Sequence, residues 1–288
     1  MLTDTAVLVE RNLLTVKRIP TLLISATIQP LMFVFLFAYV FGATFGGGSY
    51  REFLMAGIFT QTVVFNAAFT TVAFAQYRIP SESMVPHIEV GDRVTVSKFA
   101  YGYSRFSLPF DIGFALPRSE HRLFESMPRR GDVVVFIHPI SSEVMIKRAI
   151  GLPGDVIEMR DGALLIDGRA VETTEPRLLM RQVHPRGREW AERYEETLPG
   201  GVTHAVHNLT QGAPLDNFGP YTVPEGHIFF MGDNRDNSLD SRWSGMGPVP
   251  IENLIGRAEI VYATAISSCG RDHTVACPMD RWMRPLHH

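Results

Sequence analysis

The chain has few cysteines: Cys269 and Cys277 are the only two among its 288 residues. Two cysteines cannot build a disulfide-stapled scaffold, and they form either one bridge in an oxidising compartment or two separate thiols. No C-x-x-C pair occurs, and His204 and His207 are interpreted as loop residues rather than ligands. No metal ion or other cofactor is therefore expected.

The sequence also lacks an excess of positive charge and a phosphate-binding loop. Its formal net charge is -3 at pH 7, which argues against a nucleic-acid partner. No G-x-x-x-x-G-K-[ST] motif occurs, so a nucleotide site of the P-loop type is excluded.

Apolar residues are concentrated at the beginning of the chain. Residues 19–45 and 53–75 contain no charged side chain, and each stretch is long enough to span a bilayer as a helix. The first stretch is too long for the apolar core of a cleaved signal peptide, so we expect a retained anchor over residues 19–76. Residues 1–18 combine basic and apolar side chains and are expected to lie at the membrane interface.

This apolar beginning carries a resemblance of its own. Residues 8–12 (LVERN) and 50–57 (YREFLMAG) resemble the start of an ABC-type exporter permease. Such permeases have several more spans and work with an ATPase, and neither is present in this sequence. Residues 1–72 are therefore expected to act as an anchor, with a junction near residues 72–76.

The rest of the chain is predicted to be mainly β. Short alternating or β-branched runs occupy residues 93–96, 132–137, 156–160, 163–166, 227–231 and 258–262. Asp161-Gly162 between two of these runs predicts a hairpin with a type I′ turn. Runs at this spacing, separated by Gly and Pro, indicate an antiparallel sheet or barrel. Residues 168–224 are more polar and predict a less regular insertion, with one short helix over residues 189–197.

A first candidate for chemistry follows the second apolar stretch directly. Ser81 and Ser83 lie between Pro80 and Pro86, and proline restricts the backbone on both sides. Such a stiff, irregular turn suits a serine nucleophile, although on its own the pattern is that of an ordinary loop.

Lys147 is the second candidate. In a strand, Met145 and Ala149 share its face, so the amine is expected among apolar side chains. Burial without charge compensation lowers the pKa of a lysine, and a neutral amine can accept a proton from a serine hydroxyl. An exposed edge-strand lysine is the alternative interpretation.

The third candidate is the polar run of residues 231–242, MGDNRDNSLDSR. A calcium loop is excluded because Arg235 stands where a second acidic ligand is required. Alone, this run indicates a turn rich in Asp and Asn.

Together, in this order, the three motifs IPSESMVP, IKRAIGLPGD and GDNRDNSLDSR are similar to the signature boxes of bacterial type I signal peptidases. Residues 91–92, 98–102 and 130–136 also match that family, and the resemblance covers about residues 75–265. It implies a serine endopeptidase with a Ser/Lys catalytic pair and an antiparallel, barrel-like β fold that follows N-terminal membrane helices.

The resemblance also implies roles for individual residues. Ser83 would be the nucleophile and Lys147 the general base, with Ser81 and the Ser83 N–H in the oxyanion hole. Ser238 would orient the lysine. Asp233, Asp240 and Arg242 would support the site, and Tyr77, Ile79 and Ile146 would line apolar substrate pockets.

The implied substrates are exported preproteins whose signal peptides are cut after small residues, in the Ala-x-Ala pattern. The domains expected are a catalytic β domain over residues 77–167 and 225–266, an inserted subdomain over 168–224 and a C-terminal tail over 267–288. The family further implies a monomer in the bacterial plasma membrane, with its catalytic domain on the outer side and its substrates in the bilayer.

Topology conflicts with that location, because the positive residues before the first apolar stretch favour a cytoplasmic N-terminus. Two spans would then return the catalytic domain to the cytoplasm. Either the N-terminus lies outside, or a single segment spans.

Three other hypotheses remain: a self-cleaving repressor-type Ser/Lys peptidase, a transport subunit, and an inactive fusion. The first requires a DNA-binding helix pair, and the second requires further spans with an ATPase partner. The third would have sound motifs with the wrong topology.

Overall fold

The computed structural model describes residues 71–107, 122–183, 187–264 and 283–286. The chain divides into two compact units, residues 1–71 and 72–288, and the described residues belong almost entirely to the second. The predicted interfacial segment, both apolar stretches up to residue 70, and Cys269 and Cys277 lie outside the described residues. Within the described ranges, no helix combines the length and apolar character needed to cross a membrane.

Short strands dominate this part of the chain. They are β1 (Phe74–Arg78), β2 (Arg93–Ser97), β3 (Val133–Ile137), β4 (Val144–Gly151), β5 (Val156–Arg160), β6 (Ala163–Ile166), β7 (Arg169–Ala170), β8 (Glu172–Thr173), β9 (Arg177–Val183), β10 (Gly187–Thr197), β11 (Thr203–Asn208), β12 (Phe218–Thr222), β13 (His227–Met231), β14 (Val249–Pro250), β15 (Leu254–Ala263) and β16 (Arg284–Pro285). Two turns of 3-10 helix, Lys98–Tyr101 and Ile251–Asn253, accompany them.

The strands form three antiparallel sheets. The largest has the order β1-β2-β15-β3-β4-β13-β14, with β16 also paired to β15. A second sheet joins β12, β5, β6 and β7, and a third joins β8, β9, β10 and β11. The predicted mainly β, antiparallel fold is therefore confirmed for the described residues.

Strand β3 shows how the largest sheet builds two cores. Residues 133–136 are all buried, and successive side chains of a strand point to opposite faces. Val133 and Val135 join one apolar cluster, whereas Val134 and Phe136 join a second cluster on the other face. Phe136 stacks there on Phe230 of β13, with ring centroids 4.5 Å apart. A strand buried on both faces reads as a continuous apolar run, as this one does.

The hairpin predicted around Asp161-Gly162 is confirmed. Strands β5 and β6 pair in the register Arg160↔Ala163, and Asp161 and Gly162 have φ values of 50° and 81°. A type I′ turn needs positive φ at both central residues, which glycine and aspartate tolerate better than most residues.

Three sequence expectations were wrong. His204 and His207, interpreted as loop residues, are buried in strand β11. The helix predicted over residues 189–197 is instead part of strand β10, which pairs with β9 on one edge and β11 on the other. Its Ala, Glu and Arg residues favour helix locally, but pairing on both edges overrides this weak preference. The helix predicted for the second apolar stretch does not extend to residue 75. Phe74 and Ala75 instead belong to strand β1, which pairs with β2.

Truncating the stacked pair provides a test of the core. Phe230 is fully buried, and Phe230→Ala should lower the free energy of unfolding by about 3–5 kcal/mol, because it removes apolar contacts and leaves a cavity. The same change at Phe124, whose side chain is 81% exposed, should cost less than about 0.5 kcal/mol. Urea denaturation of both variants measures the difference, and equal losses would contradict this packing.

Candidate active site

The segment that presents Ser83 is fixed at both ends. Ile79 N–H donates to the carbonyl oxygen of Asp92 at 2.9 Å, and Gly91 N–H donates to the carbonyl oxygen of Ile79 at 2.8 Å. Between these anchors Met84 is fully buried in the first apolar cluster. Ser83 therefore sits on a short turn whose neighbours are packed into the core, and it is itself 5% exposed.

Strand β4 brings Lys147 to this turn. Lys147 pairs with Val134 of β3 in the middle of the largest sheet, and it is 3% exposed. Its Nζ lies 2.7 Å from Ser83 Oγ and also donates to the carbonyl oxygen of Ile146 at 3.0 Å. Residues 64 positions apart in the sequence thus meet in a buried amine–hydroxyl contact.

Burial controls the charge of this amine. It lowers the pKa of Lys147 from 10.5 to about 8, while the negative charges of Asp240 and Asp233 act in the opposite direction. At pH 7 about one tenth of this amine is then neutral, compared with less than about one thousandth of an ordinary exposed lysine. The expectation of an apolar, pKa-lowering environment from the alternation of residues 145–149 agrees with this result.

Ser81 lies beside the same hydroxyl. Its Oγ is 3.3 Å from Ser83 Oγ, and its side chain is exposed whereas that of Ser83 is buried. The two serine hydroxyls and the lysine amine therefore lie close together, with Ser81 on the solvent side of the buried Ser83–Lys147 contact.

Asp240 and Arg242 form a fully buried ion pair close to these groups. Arg242 Nη2 lies 2.9 Å from Asp240 Oδ2, and Arg242 Nε lies 2.9 Å from Asp240 Oδ1. Burial raises the pKa of Asp240, but the charge and hydrogen bonds of Arg242 outweigh it and hold the pKa below its ordinary value. Asp240 also accepts from the Gly232 N–H at 3.0 Å, so the carboxylate ties the two ends of this loop together.

The structure does not join Ser238 to Lys147. Among the described residues, Lys147 Nζ bonds to Ser83 and Ile146, as given above, and not to the buried Ser238 hydroxyl. Ser238 instead packs against Gly232, where an added Cβ would collide with the Ser238 hydroxyl and lie 2.5 Å from the Ser83 carbonyl oxygen. Gly232 thus allows the loop to approach the turn that carries Ser83.

Asp233 pairs with a residue to which the sequence assigned no role. Arg148 holds both carboxylate oxygens of Asp233, at 2.8 Å from Nε and 2.7 Å from Nη2, and both side chains are 1% exposed. Arg148 adjoins Lys147 on β4, so this bidentate pair fastens the Asp/Asn-rich loop to the lysine strand. The partners are 85 positions apart, and no sequence spacing connects them.

No sequence pattern predicted a second network of buried polar side chains. Glu196 of β10 pairs with Arg235, and His204 of β11 lies 3.7 Å from Glu196 and 3.9 Å from Asp233. These four side chains come from the neighbouring strands β10 and β11 and from a loop further along the chain, with Arg235 lying 39 positions after Glu196. The only signal in the sequence was the density of charged residues in the polar motif itself.

The three residues expected to line substrate pockets lie together. Ile79 and Ile146 belong to the first apolar cluster, and the half-buried Tyr77 packs against it. Met84, which follows Ser83 directly, belongs to the same cluster.

In the described part of the chain, no group of three or more His, Cys, Asp or Glu side chains is arranged to hold a metal ion. The buried carboxylates are paired with arginines instead, as in Arg148–Asp233 and Arg242–Asp240. A hydroxyl next to an amine of lowered pKa, as in Ser83 and Lys147, can be activated as a nucleophile.

Comparison with known proteins identifies the family to which this chain belongs. The protein-family model described as "Signal peptidase, peptidase S26" matches residues 51–263. The chain belongs to this family, in the group of bacterial type I signal peptidases, and is a serine endopeptidase of that type. The match begins upstream of the boundary near residue 75 that the motifs predicted, and it includes the second apolar stretch.

Two relatives with similar sequences agree with this assignment. Signal peptidase I of Rickettsia typhi is 36% identical over 214 residues, which cover 71% of this chain and 77% of the relative. Signal peptidase I of Rickettsia canadensis is 39% identical over 196 residues, which cover 65% and 70%. The crystal structure of a signal peptidase I from Enterococcus faecalis V583 is 28% identical, with a TM-score of 0.27, and covers 46% of this chain and 97% of that one.

Proposed function

We propose that this chain removes signal peptides from preproteins with Ser83 as nucleophile and Lys147 as general base. Signal peptide removal is the reaction of its family. The observation that supports these two roles is the 2.7 Å separation between Lys147 Nζ and Ser83 Oγ, with burial lowering the pKa of the amine to about 8. A general base must lie within hydrogen-bonding reach of its proton and titrate near the working pH.

The reaction then proceeds in two halves. Ser83 Oγ attacks the carbonyl carbon of the scissile peptide bond while its proton passes to Lys147 Nζ. The C–N bond breaks, the leaving amine takes the proton from Nζ, and the signal peptide remains as an ester on Ser83. Water attacks this ester, gives its proton to Nζ, and the released Ser83 oxygen recovers a proton.

Ser81 is assigned to the oxyanion hole. Its exposed hydroxyl stands 3.3 Å from Ser83 Oγ, where it can donate to an oxygen that becomes negatively charged next to the attacked carbon. The Ser83 N–H is the second donor in this proposal. Removing one such donor in other enzymes costs about 10²–10³-fold in rate.

Substrate selection is assigned to the apolar cluster beside Ser83. Ile79, Ile146 and Tyr77 supply bulky, largely apolar walls, which leave room only for small side chains at the first and third positions before the cut. The cleavage segment binds in an extended form as an added β-strand, which gives backbone affinity with little side-chain selectivity.

Anchoring completes the proposal. Residues 19–73 anchor the enzyme in the plasma membrane, residues 1–18 lie at its interface, and the catalytic β domain (77–167 and 225–266) faces the outer side as a monomer. The inserted subdomain covers residues 168–224, and residues 267–288 form a tail. Substrates arrive in the same bilayer through the apolar part of their signal peptides.

Removing either partner of the dyad provides the main test. Ser83→Ala and Lys147→Ala should each lower kcat for preprotein cleavage by at least about 10⁴-fold, because nucleophile and base act as a unit. Ser126→Ala, at an exposed serine, is the matched control and should retain full activity. Cleavage is followed by gel shift of a preprotein, with circular dichroism as a check of folding. Full activity in Lys147→Ala would exclude the proposed base.

The pH dependence of the wild-type enzyme tests the state of the amine. Because the neutral form of Lys147 is the active one and its folded pKa is about 8, kcat/KM should rise about tenfold per pH unit below pH 8 and level off above it. A peptide substrate without groups that titrate between pH 5 and 9 isolates the enzyme's contribution. A flat profile over that range contradicts the assignment.

Enlarging the proposed pocket tests the origin of specificity. Ile146→Ala should raise the ratio of kcat/KM for a peptide with Leu at the third position before the cut, relative to Ala there, by about tenfold. Ile150→Ala is the control, since Ile150 lies on the same strand but packs in a different cluster. An unchanged ratio in Ile146→Ala, measured by mass spectrometry of the peptide products, would remove Ile146 from the pocket.

A further inference from the structure

The inserted sheet is hydrogen-bonded directly to the loop beside the active site. In strand β11, His207 N–H donates to the Asp233 carbonyl oxygen at 2.8 Å, and its own carbonyl oxygen accepts from Arg235 N–H at 2.9 Å. The Asp236 carboxylate accepts from the backbone N–H groups of Leu209 and Thr210, at 2.7 and 2.8 Å. Residues 233–236 are therefore held along the end of β11.

A buried ion pair reinforces this junction. Glu196 of β10 is 1% exposed, and its two carboxylate oxygens accept from Nη1 and Nη2 of Arg235, the first at 2.9 Å. Arg235 also donates through Nε to the Gly232 carbonyl oxygen at 3.2 Å. Loss of one partner of such a pair leaves the other charge buried without compensation, so the loop would shift to bring that charge towards water.

The same loop holds the turn of Ser83. Asn234 N–H donates to the Ser83 carbonyl oxygen at 3.1 Å, and Asn234 Nδ2 donates to the Glu82 carbonyl oxygen at 3.2 Å. Asn237 Nδ2 donates to the Glu82 carboxylate at 3.1 Å. A continuous series of short contacts thus connects Glu196 in the inserted sheet with the backbone of Ser83.

From this series we propose that the sheet formed by β8–β11 is a positioning element of the active site, with Glu196 as its positioning residue. Glu196 holds Arg235, the Arg235 segment holds Asn234, and Asn234 sets the distance of Ser83 from Lys147. The inference rests on the proposed function of Ser83 and Lys147. It assigns the inserted sheet a role in the rate of the chemical step, besides any role in stability.

The kinetic effect expected from breaking this series of contacts depends on the groups that lie outside it. Lys147 is held by β3 and β4, and the apolar cluster around Ile79 and Ile146 packs independently of Glu196. Asp233 and Asp240, whose charges act on Lys147, are held separately by Arg148 and Arg242. Loosening the Arg235 segment should therefore displace Ser83 while leaving the base, its neighbouring carboxylates and the substrate pocket in place. Displacement of a reacting group by about 1 Å can cost about 100-fold in rate.

The test is Glu196→Gln, which keeps the shape of the side chain and removes its charge. We expect kcat for preprotein peptide cleavage to fall at least about tenfold, with KM within about twofold of wild type and the kinetic pKa still about 8. Glu196→Asp, which retains a carboxylate, should recover part of kcat. Glu195→Gln is the matched control, since Glu195 is exposed on the same strand and should leave all three quantities unchanged.

A second variant covers the case in which Glu196→Gln fails to fold. Asp236→Asn weakens the other anchor of the loop, at a half-buried position, and should lower kcat in the same pattern. Unchanged kcat in the folded variants, a rise in KM alone, or activity that declines only in parallel with the folded fraction would each overturn the inference. Those outcomes leave the dyad intact, whereas full activity of Ser83→Ala would overturn the proposed function itself.

Discussion

The contact between a buried amine and a serine hydroxyl is the constraint on which the proposed active site depends. Lys147 loses its hydration on the largest sheet, and burial disfavours its charged form. A fully apolar surrounding would depress the pKa further, and the nearby carboxylates of Asp240 and Asp233 limit the effect. The structure therefore maintains the amine in a range where it can both accept and return a proton.

Those carboxylates need partners of their own, which explains the two arginines at the site. Arg148 neutralises Asp233 and Arg242 neutralises Asp240, in pairs that are almost completely buried. Burying an unpaired carboxylate is strongly unfavourable, and each arginine offers a planar pair of donors that matches both oxygens. The Arg148–Asp233 pair also fastens the loop of residues 232–242 to strand β4, and the Arg242–Asp240 pair lies within the loop and helps to close it.

Local patterns predicted the parts of the structure that local interactions decide. The Asp161-Gly162 hairpin and the apolar face of Lys147 follow from turn chemistry and strand periodicity. The motifs around Ser83 and Lys147 also identified the family. Strand β10 could not be predicted, because its helix-favouring residues are held by pairing on both edges. Nor could the partners of Asp233 and Arg235, because these contacts exist only after distant strands meet.

Gly232 has a consequence for how this loop can vary. A hydrogen atom is the only substituent that fits between the Ser83 carbonyl oxygen and Ser238, since any larger group meets backbone that is itself fixed. Glycine also increases the conformational freedom of the unfolded chain, which opposes folding by roughly 0.5–1 kcal/mol relative to alanine. The close approach of this loop to the turn of Ser83 is thus accompanied by a loss of folding stability at Gly232. A Gly→Ala substitution, which stabilises many proteins, is sterically excluded at this position.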